Sequence, residues 1–180
     1  MKIFFWLLQQ NRLWCNDRLQ RRGWPNRYFC QCCLRHLETL EHLFWSCPCS
    51  LKIWTAASLW RGCHALNPAR WSAAPSSPAR IKLITQKAQP GSERQAVRSM
   101  VILVCWEIWQ ERNSCTFRNK EASTADVIAK IQAMIELWRL AGAKHFERPF
   151  GKNDARGYAT TTPRAAFSFP FHVLFHTLIT

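Results

Sequence analysis

Acidic residues are scarce in this sequence. The chain has 11 Asp and Glu against 25 Lys and Arg, and its three aspartates, Asp17, Asp126 and Asp154, are scattered along 180 residues. Polymerases and nucleases use clustered carboxylates to hold two metal ions, and the sequence contains no such cluster. A glycine-rich phosphate-binding loop is also missing. We therefore predict that the protein is not an enzyme and has no small-molecule substrate.

Long hydrophobic runs are missing as well. The apolar run at residues 3–8 is short for a signal peptide, and no small-residue cleavage site follows it. The C-terminal segment FSFPFHVLFHTLIT has about half of the roughly 20 apolar residues that a membrane-spanning helix needs, and Pro170 interrupts it. We expect no secretion signal and no membrane span, and therefore an intracellular location in the nucleus or cytoplasm.

The excess of basic residues points to polyanionic partners. The formal net charge of the chain is +14 at pH 7. A charge of this size favours nucleic acid first and anionic membrane surfaces second. Net charge alone does not distinguish a nucleic-acid partner from a membrane surface.

The nine cysteines of the chain indicate a metal site more than a disulfide framework, because we see no route to an oxidising compartment. Cys30 and Cys33 have C-x2-C spacing, and His42 and Cys47 follow as H-x4-C. An unbroken helix would place residues 42 and 47 about 140° apart, but Pro48 pushes Cys47 out of helical geometry. We predict that these four side chains bind one structural Zn²⁺ and leave no open position for a catalytic water.

Spare ligands in the same stretch leave alternatives open. Three further ligand-type side chains lie between or beside the four predicted ligands: Cys32, His36 and Cys49. A set such as Cys30, Cys32, His36 and Cys49 would also supply the four ligands of a tetrahedral site. The cysteines could also bind no metal. Redox use of the C-x2-C pair is disfavoured, because thioredoxin-like chemistry expects a βαβ unit and the sequence shows none.

A basic stripe lies just before the cysteines. Residues 1–36 contain seven Lys and Arg against Asp17 alone, and a short helix capped by Asn16 or Asp17 would place three of the arginines on one face. Four aromatic residues are interleaved with them: Trp14, Trp24, Tyr28 and Phe29. Aromatics beside arginines can stack on single-stranded bases, although each ring could also pack on the zinc lobe, and the stripe could be a solvated helix face. We predict that RNA or single-stranded DNA is contacted by Arg12, Arg18, Arg21, Arg22, Arg27 and Trp24.

Hydrophobic periodicity predicts a mostly α-helical chain. We expect helices near residues 2–14, 16–22, 50–60, 81–86, 92–117 and 123–141, the last begun by a capping box of Ser123 and Asp126. The side chains of Arg112 and Asn113 should cap or solvate the end of the hairpin, and the alternative is that they reach a ligand. The predicted organisation is a small zinc-stabilised helical lobe (1–62), a Pro/Ser/Ala-rich linker (63–92), an antiparallel helical hairpin (93–146) and a disordered tail (147–180).

Several longer stretches resemble a known family. The segments KIFFWLLQQNRLWCNDRLQRRGWPNRYFCQCC, ETLEHLFWSCP and SLKIW are similar to the zinc-binding domain that follows the polymerase region in the reverse transcriptases of plant LINE-type, non-LTR retrotransposons. The later segments CWEIWQERNSCTFRNK and IELWRLAGAKH resemble the region that trails this domain in grass elements. The resemblance covers about residues 1–146, and Cys15 and Cys49 depart from its usual pattern.

The resemblance implies both a ligand set and a role. The family's zinc ligands fall on Cys30, Cys33, His42 and Cys47. Because the family domain normally begins upstream of Met1, the chain should be a fragment of an element. The implied function is that of a non-catalytic module that helps to hold template RNA or target DNA for the neighbouring polymerase. The alternative is a structural or protein-docking remnant of a retroelement with no retained biochemical activity.

Overall fold

The computed structural model describes residues 1–146, and the predicted disordered tail (147–180) lies outside the described residues. Within residues 1–146 the protein is mostly α-helical, as predicted, with an isolated antiparallel bridge between Phe29 and Leu37 as its only β-pairing. The α-helices are α1 (Lys2–Gln9), α2 (Asn16–Arg21), α3 (Pro48–Arg61), α4 (Ser77–Gln86), α5 (Ser92–Arg118) and α6 (Thr124–Leu140). Shorter elements are a π-helical turn (His42–Ser46) and three 3-10 turns (His64–Leu66, Pro68–Arg70 and Lys144–Phe146). Over the same residues, none of the helices is long and apolar enough to cross a membrane.

Helix α5 is the centre of the hydrophobic core, because it packs against α1, α3, α4 and α6. Its buried apolar face includes Val97, Met100, Val101, Val104 and Ile108. The opposing face of α6 buries Val127, Ile131 and Ile135. The Ser99 hydroxyl lies 3.3 Å from His145 Nε2, and the backbone N–H of Ala122 donates to Glu111 Oε1 at 2.7 Å. The beginning of α5 therefore meets the end of α6, and the predicted antiparallel hairpin is confirmed.

Local signals define both ends of α6. The Ser123 hydroxyl accepts a hydrogen bond from the backbone N–H of Asp126, and the Asp126 carboxylate accepts from the backbone N–H of Ser123. This reciprocal pair confirms the predicted capping box. At the other end Gly142 has a φ of +91°, a conformation that L side chains rarely adopt. The helix therefore stops where the sequence predicted.

The end of α1 and the cap of α2 differ from their predictions, whereas the bounds of α2 agree with the predicted 16–22. Helix α1 ends at Gln9 rather than near residue 14, because Asn11 adopts a left-handed conformation with φ +51°. The expectation that Asn16 or Asp17 would cap α2 is wrong, because the N-cap is Cys15 and no side chain of the local sequence caps the helix. Instead, the carboxylate of Glu38 accepts from the backbone N–H of Asn16 at 3.0 Å. A residue 22 positions away thus supplies the missing acceptor.

The segment predicted as a linker, residues 63–92, contains helix α4, which is longer than the predicted 81–86. Ser76 caps this helix by accepting from the backbone N–H of Ala79. Ile81 and Ile84 are buried, and α4 packs against α1 and α5. The division of the chain into domains stays a prediction.

A buried ion pair joins α5 to the cysteine-rich segment, residues 29–49. Arg112 Nη2 lies 2.6 Å from Glu38 Oε1, and the side chains are 3% and 0% exposed. The Nε of Arg112 also donates to the Glu38 carboxylate at 3.1 Å, and Nη2 donates to Asn16 Oδ1 at 3.3 Å. The expectation that Arg112 would cap or solvate the end of the hairpin is wrong, because its guanidinium is buried between the two parts of the fold.

Candidate metal centre

Four side chains of the cysteine-rich segment converge on one point. The ligand atoms of Cys30, Cys33, His42 and Cys47 all lie within 4.8 Å of one another. Cys30 Sγ is 3.9 Å from Cys47 Sγ, and Cys33 Sγ is 3.3 Å from His42 Nε2. Zn–S bonds of about 2.3 Å give a tetrahedron with S–S edges of about 3.8 Å. The observed separations therefore suit one tetrahedral Zn²⁺ held by three thiolates and one imidazole.

A tight turn presents the two ligands of the C-x2-C pair. The backbone N–H of Cys30 donates to the carbonyl of His36 at 2.8 Å, and the N–H of Leu34 donates back to the carbonyl of Cys30 at 2.8 Å. Leu34 has φ +55°, a left-handed conformation that reverses the chain. Closing the loop in this way directs the Cys30 and Cys33 thiols to the same side.

A π-helical turn and a proline present the other two ligands. The backbone N–H of Cys47 donates to the carbonyl of His42 at 2.7 Å, which is an i to i−5 bond. Cys47 itself has an extended ψ of 127° and precedes Pro48 at the first position of α3. The break that Pro48 predicts is therefore present, and the wider π-turn brings residues 42 and 47 to the same side of the chain.

Zinc and protons compete for the thiols of this cluster. The pKa of the Cys47 thiol is raised by its hydrogen bond with Cys30 and by burial. The pKa of the Cys30 thiol is raised by a hydrogen bond with Cys32 and by burial. Burial, followed by the nearby His36 ring, lowers the pKa of His42 from 6.5. His42 is thus held as the neutral imidazole that binds zinc. The thiols, in contrast, must release their protons before they can bind the metal.

The spare ligands lie outside the cluster of four. The Cys49 thiol donates to the backbone carbonyl of Cys32 at 2.9 Å, and burial raises the pKa of Cys49 to about 11. His36 is exposed, with its ring centroid 5.1 Å from that of His42. The structure therefore brings together the set predicted from spacing and does not bring together Cys30, Cys32, His36 and Cys49. The four ligands fill a tetrahedral shell, so the zinc at this site is structural.

Two of the arginines predicted to contact nucleic acid lie against a stacked ring pair that contains the predicted Trp24. The rings of Trp14 and Trp24 are 5.2 Å apart between centroids at 23°, and they are 41% and 48% exposed. The guanidinium of Arg22 lies 5.2 Å from the Trp14 ring and 5.8 Å from the Trp24 ring. Arg18 lies 5.5 Å from the Trp14 ring. Trp14, Trp24 and Arg22 are therefore at the surface and Arg18 is half-buried beside them, although the sequence left packing on the zinc lobe open.

A second pair extends the same surface. The guanidinium of Arg12 lies 6.0 Å from the ring of Trp6, which is 52% exposed. Arg18 Nη1 donates to the backbone carbonyl of Asn11 at 2.8 Å and so joins this pair to the ring stack. Together these side chains form one surface, the Arg–Trp surface, which consists of Arg12, Arg18, Arg22, Trp6, Trp14 and Trp24.

Two of the predicted arginines are engaged elsewhere. Arg21 Nη2 lies 2.7 Å from Asp17 Oδ2, which offsets its charge. Arg27 is exposed and donates to Gln31 Oε1 at 3.1 Å. Sequence reasoning missed Trp6 as a surface residue, because its helix had too many apolar residues to reveal which face is buried.

The comparison with protein families agrees with this geometry. Residues 1–54 match the family model described as zinc-binding in reverse transcriptase, and all four ligands lie within the match. This family is a zinc-binding domain and not the catalytic polymerase domain. Searches of curated proteins and of solved structures gave no match. The family match and the Cys3His cluster together identify residues 1–54 as a zinc-binding domain of the reverse transcriptase type.

Proposed function

We propose that the protein is a non-catalytic zinc-binding module that contacts single-stranded nucleic acid through the Arg–Trp surface. The observation that carries this proposal is the solvent-exposed stack of Trp14 and Trp24 with Arg22 against both rings. Large aromatic rings are normally buried away from water. An exposed stacked pair is therefore typical of a ligand-binding or partner-binding surface. Base stacking on such rings is tolerant of sequence, because every base has a π-face.

The surrounding charge supports a phosphate backbone as the partner. Arg12 and Arg22 are exposed, and their guanidinium groups lie 6.0 Å from the Trp6 ring and 5.2 Å from the Trp14 ring. A guanidinium stacked on a ring keeps its edge available for phosphate oxygens. The surface therefore offers flat faces for bases and cationic edges for phosphates within a few ångströms of each other.

The family match suggests the biological setting. A zinc-binding domain of the reverse transcriptase type would work beside a polymerase and would help to hold template RNA or target DNA. The resemblance of the sequence to plant LINE-type elements supports an origin in a non-LTR retrotransposon. Work of this kind would take place in the cytoplasm or nucleus.

The test is binding of a fluorescently labelled single-stranded RNA to the zinc-loaded protein at several salt concentrations. Each phosphate contact that is lost should reduce the salt slope of the binding constant by about 0.7. Arg22→Gln should therefore weaken binding and flatten this slope. Arg98→Gln is the matched control, because Arg98 is an exposed arginine near the beginning of α5. The same loss in both variants would show only a response to net charge.

Absence of binding by the wild-type protein would reject the proposal. The zinc lobe would then have a structural or protein-docking role, as in a retroelement remnant. The buried pair between Glu38 and Arg112 favours that second candidate, because it makes the zinc lobe a support for the hairpin.

A further inference from the structure

A groove separates the zinc lobe from the end of α5 and has no part in the metal site. It has a volume of about 730 Å³. Leu19 and Pro25 line it from the zinc lobe, and Trp109 and Phe117 line it from α5. Trp14 also lines the groove, so this ring belongs both to the groove and to the Arg–Trp surface. The groove is therefore continuous with the surface proposed to bind nucleic acid.

The lining combines ring faces with polar groups at the edge. Asn26, Arg27, Asn113 and Thr116 line the groove together with the aromatic rings. Pockets that accept small ligands have about this size and the same mixture of apolar walls and a few polar groups. A nucleobase needs both, because its faces stack on rings and its edges form hydrogen bonds.

Among residues 1–146, Phe117 is the most exposed of the aromatic side chains. Its side chain is 75% exposed near the end of α5, so burial in the core does not account for it. The Arg112 guanidinium lies 6.0 Å from the Phe117 ring and is itself held by Glu38. The ring thus stands at the mouth of the groove beside a fixed cation.

The charge at the mouth of the groove is suited to a polyanion. Arg118 and Lys120 are exposed directly after Phe117. Arg27 contributes a further cation from the zinc lobe. A strand leaving the Arg–Trp surface through this groove would therefore meet the charge of Arg27 in the lining, and two further cations follow Phe117 in the chain.

We propose that the groove holds one unstacked base of a single-stranded nucleic acid, with Phe117 as a stacking face and Trp14 at the junction with the Arg–Trp surface. The inference rests on the proposed function and extends it, because it assigns the end of α5 to the binding site. It also predicts a preference for single strands. A base within a duplex is already paired and stacked, and removing it from the duplex costs energy.

The experiment compares zinc-loaded wild-type protein with Phe117→Ala in binding to a labelled oligouridine and to a labelled hairpin duplex. Loss of one stacked base should weaken binding of the single strand about 5- to 160-fold. Duplex binding should be unchanged, and the salt slope should be unchanged because no phosphate contact is lost. Phe117→Tyr, which keeps the ring, should bind as the wild type does.

Leu140→Ala is the matched control, because Leu140 is a large apolar residue at the end of α6 that is 78% exposed. Equal binding of oligouridine by Phe117→Ala and the wild type would overturn the groove assignment and leave the Arg–Trp surface intact. Equal weakening of single-strand and duplex binding would overturn it too. Failure of the wild type to bind either probe would instead reject the proposed function itself.

Discussion

Replacing Arg112 with methionine should destabilise the whole fold, although the residue lies near the end of a helix. The substitution preserves much of the side-chain length but leaves the Glu38 carboxylate, which is 0% exposed, without its cation. Glu38 would retain one hydrogen bond from the backbone N–H of Asn16 and would lose those that Arg112 Nε and Nη2 donate. Breaking one side of a buried ion pair costs about 3–5 kcal/mol. Domains of this size have about 5–15 kcal/mol of stability in total.

The assay is urea unfolding in zinc-saturated buffer, followed by tryptophan fluorescence and circular dichroism. The midpoint should fall while the slope with urea stays constant. Arg139→Met is the matched control, because Arg139 forms an ion pair with Glu136 in which the two side chains are 42% and 56% exposed. Removing an exposed pair should cost less than about 1 kcal/mol.

A double-mutant cycle separates the pair from its surroundings. Glu38→Gln should also be destabilising, because it leaves the Arg112 charge buried without a counter-ion. The double variant Arg112→Met with Glu38→Gln should be less destabilised than the sum of the two single changes. If Arg112→Met costs no more than Arg139→Met, the buried pair does not join the two parts of the fold, and the reasoning is refuted.

The remaining predictions concern the metal and a buried acid. Cys33→Ser should abolish stoichiometric zinc binding as measured by metal analysis, whereas Cys32→Ser should keep one zinc per chain; equal loss from both would show that the ligand set is wrong. Zinc binding should release at least two protons at pH 7, from Cys30 and Cys47, because the pKa values of both thiols are raised without metal. Titration calorimetry in buffers of different ionisation enthalpy measures this release, and affinity should fall as the pH falls. Burial raises the pKa of Glu107, so its ionisation opposes folding, and stability should fall as the pH rises through the range between its unfolded and folded pKa. Glu107→Gln should therefore raise the melting temperature at pH 7 and flatten this pH dependence, and no change in either would count against the argument.

The zinc ligands could be predicted from the sequence because all four lie within 18 residues. Spacing that short limits which side chains can reach one ion, and Pro48 shows where the helix must begin. The number and spacing of the cysteines could not exclude Cys32 and Cys49 as zinc ligands, because the direction of a side chain depends on the turn conformation. The left-handed Leu34 and the bond from the Cys47 N–H to the His42 carbonyl set that direction.

The helices of the hairpin were predictable for a similar reason. Their apolar periodicity, the capping box at Ser123 and the glycine at position 142 all act within a few residues. The beginning of helix α2 was predictable but its cap was not, because the acceptor is Glu38 from another part of the chain. The basic stripe could be recognised in the sequence. The exposure of the aromatic residues among its arginines could not be predicted, since the same rings could have packed in the core.

By itself, the sequence determined the mostly helical class and the two helices of the hairpin, and it favoured the four ligands, because each depends on interactions between residues close in the chain. Only the tertiary structure decided that Arg112 is buried against Glu38, 74 positions away, and that Trp14 lines a groove with Phe117. Contacts of this kind depend on how packed helices place side chains that are far apart in the chain. Hydrophobicity and charge allow many such pairings, and the packing of one core selects among them.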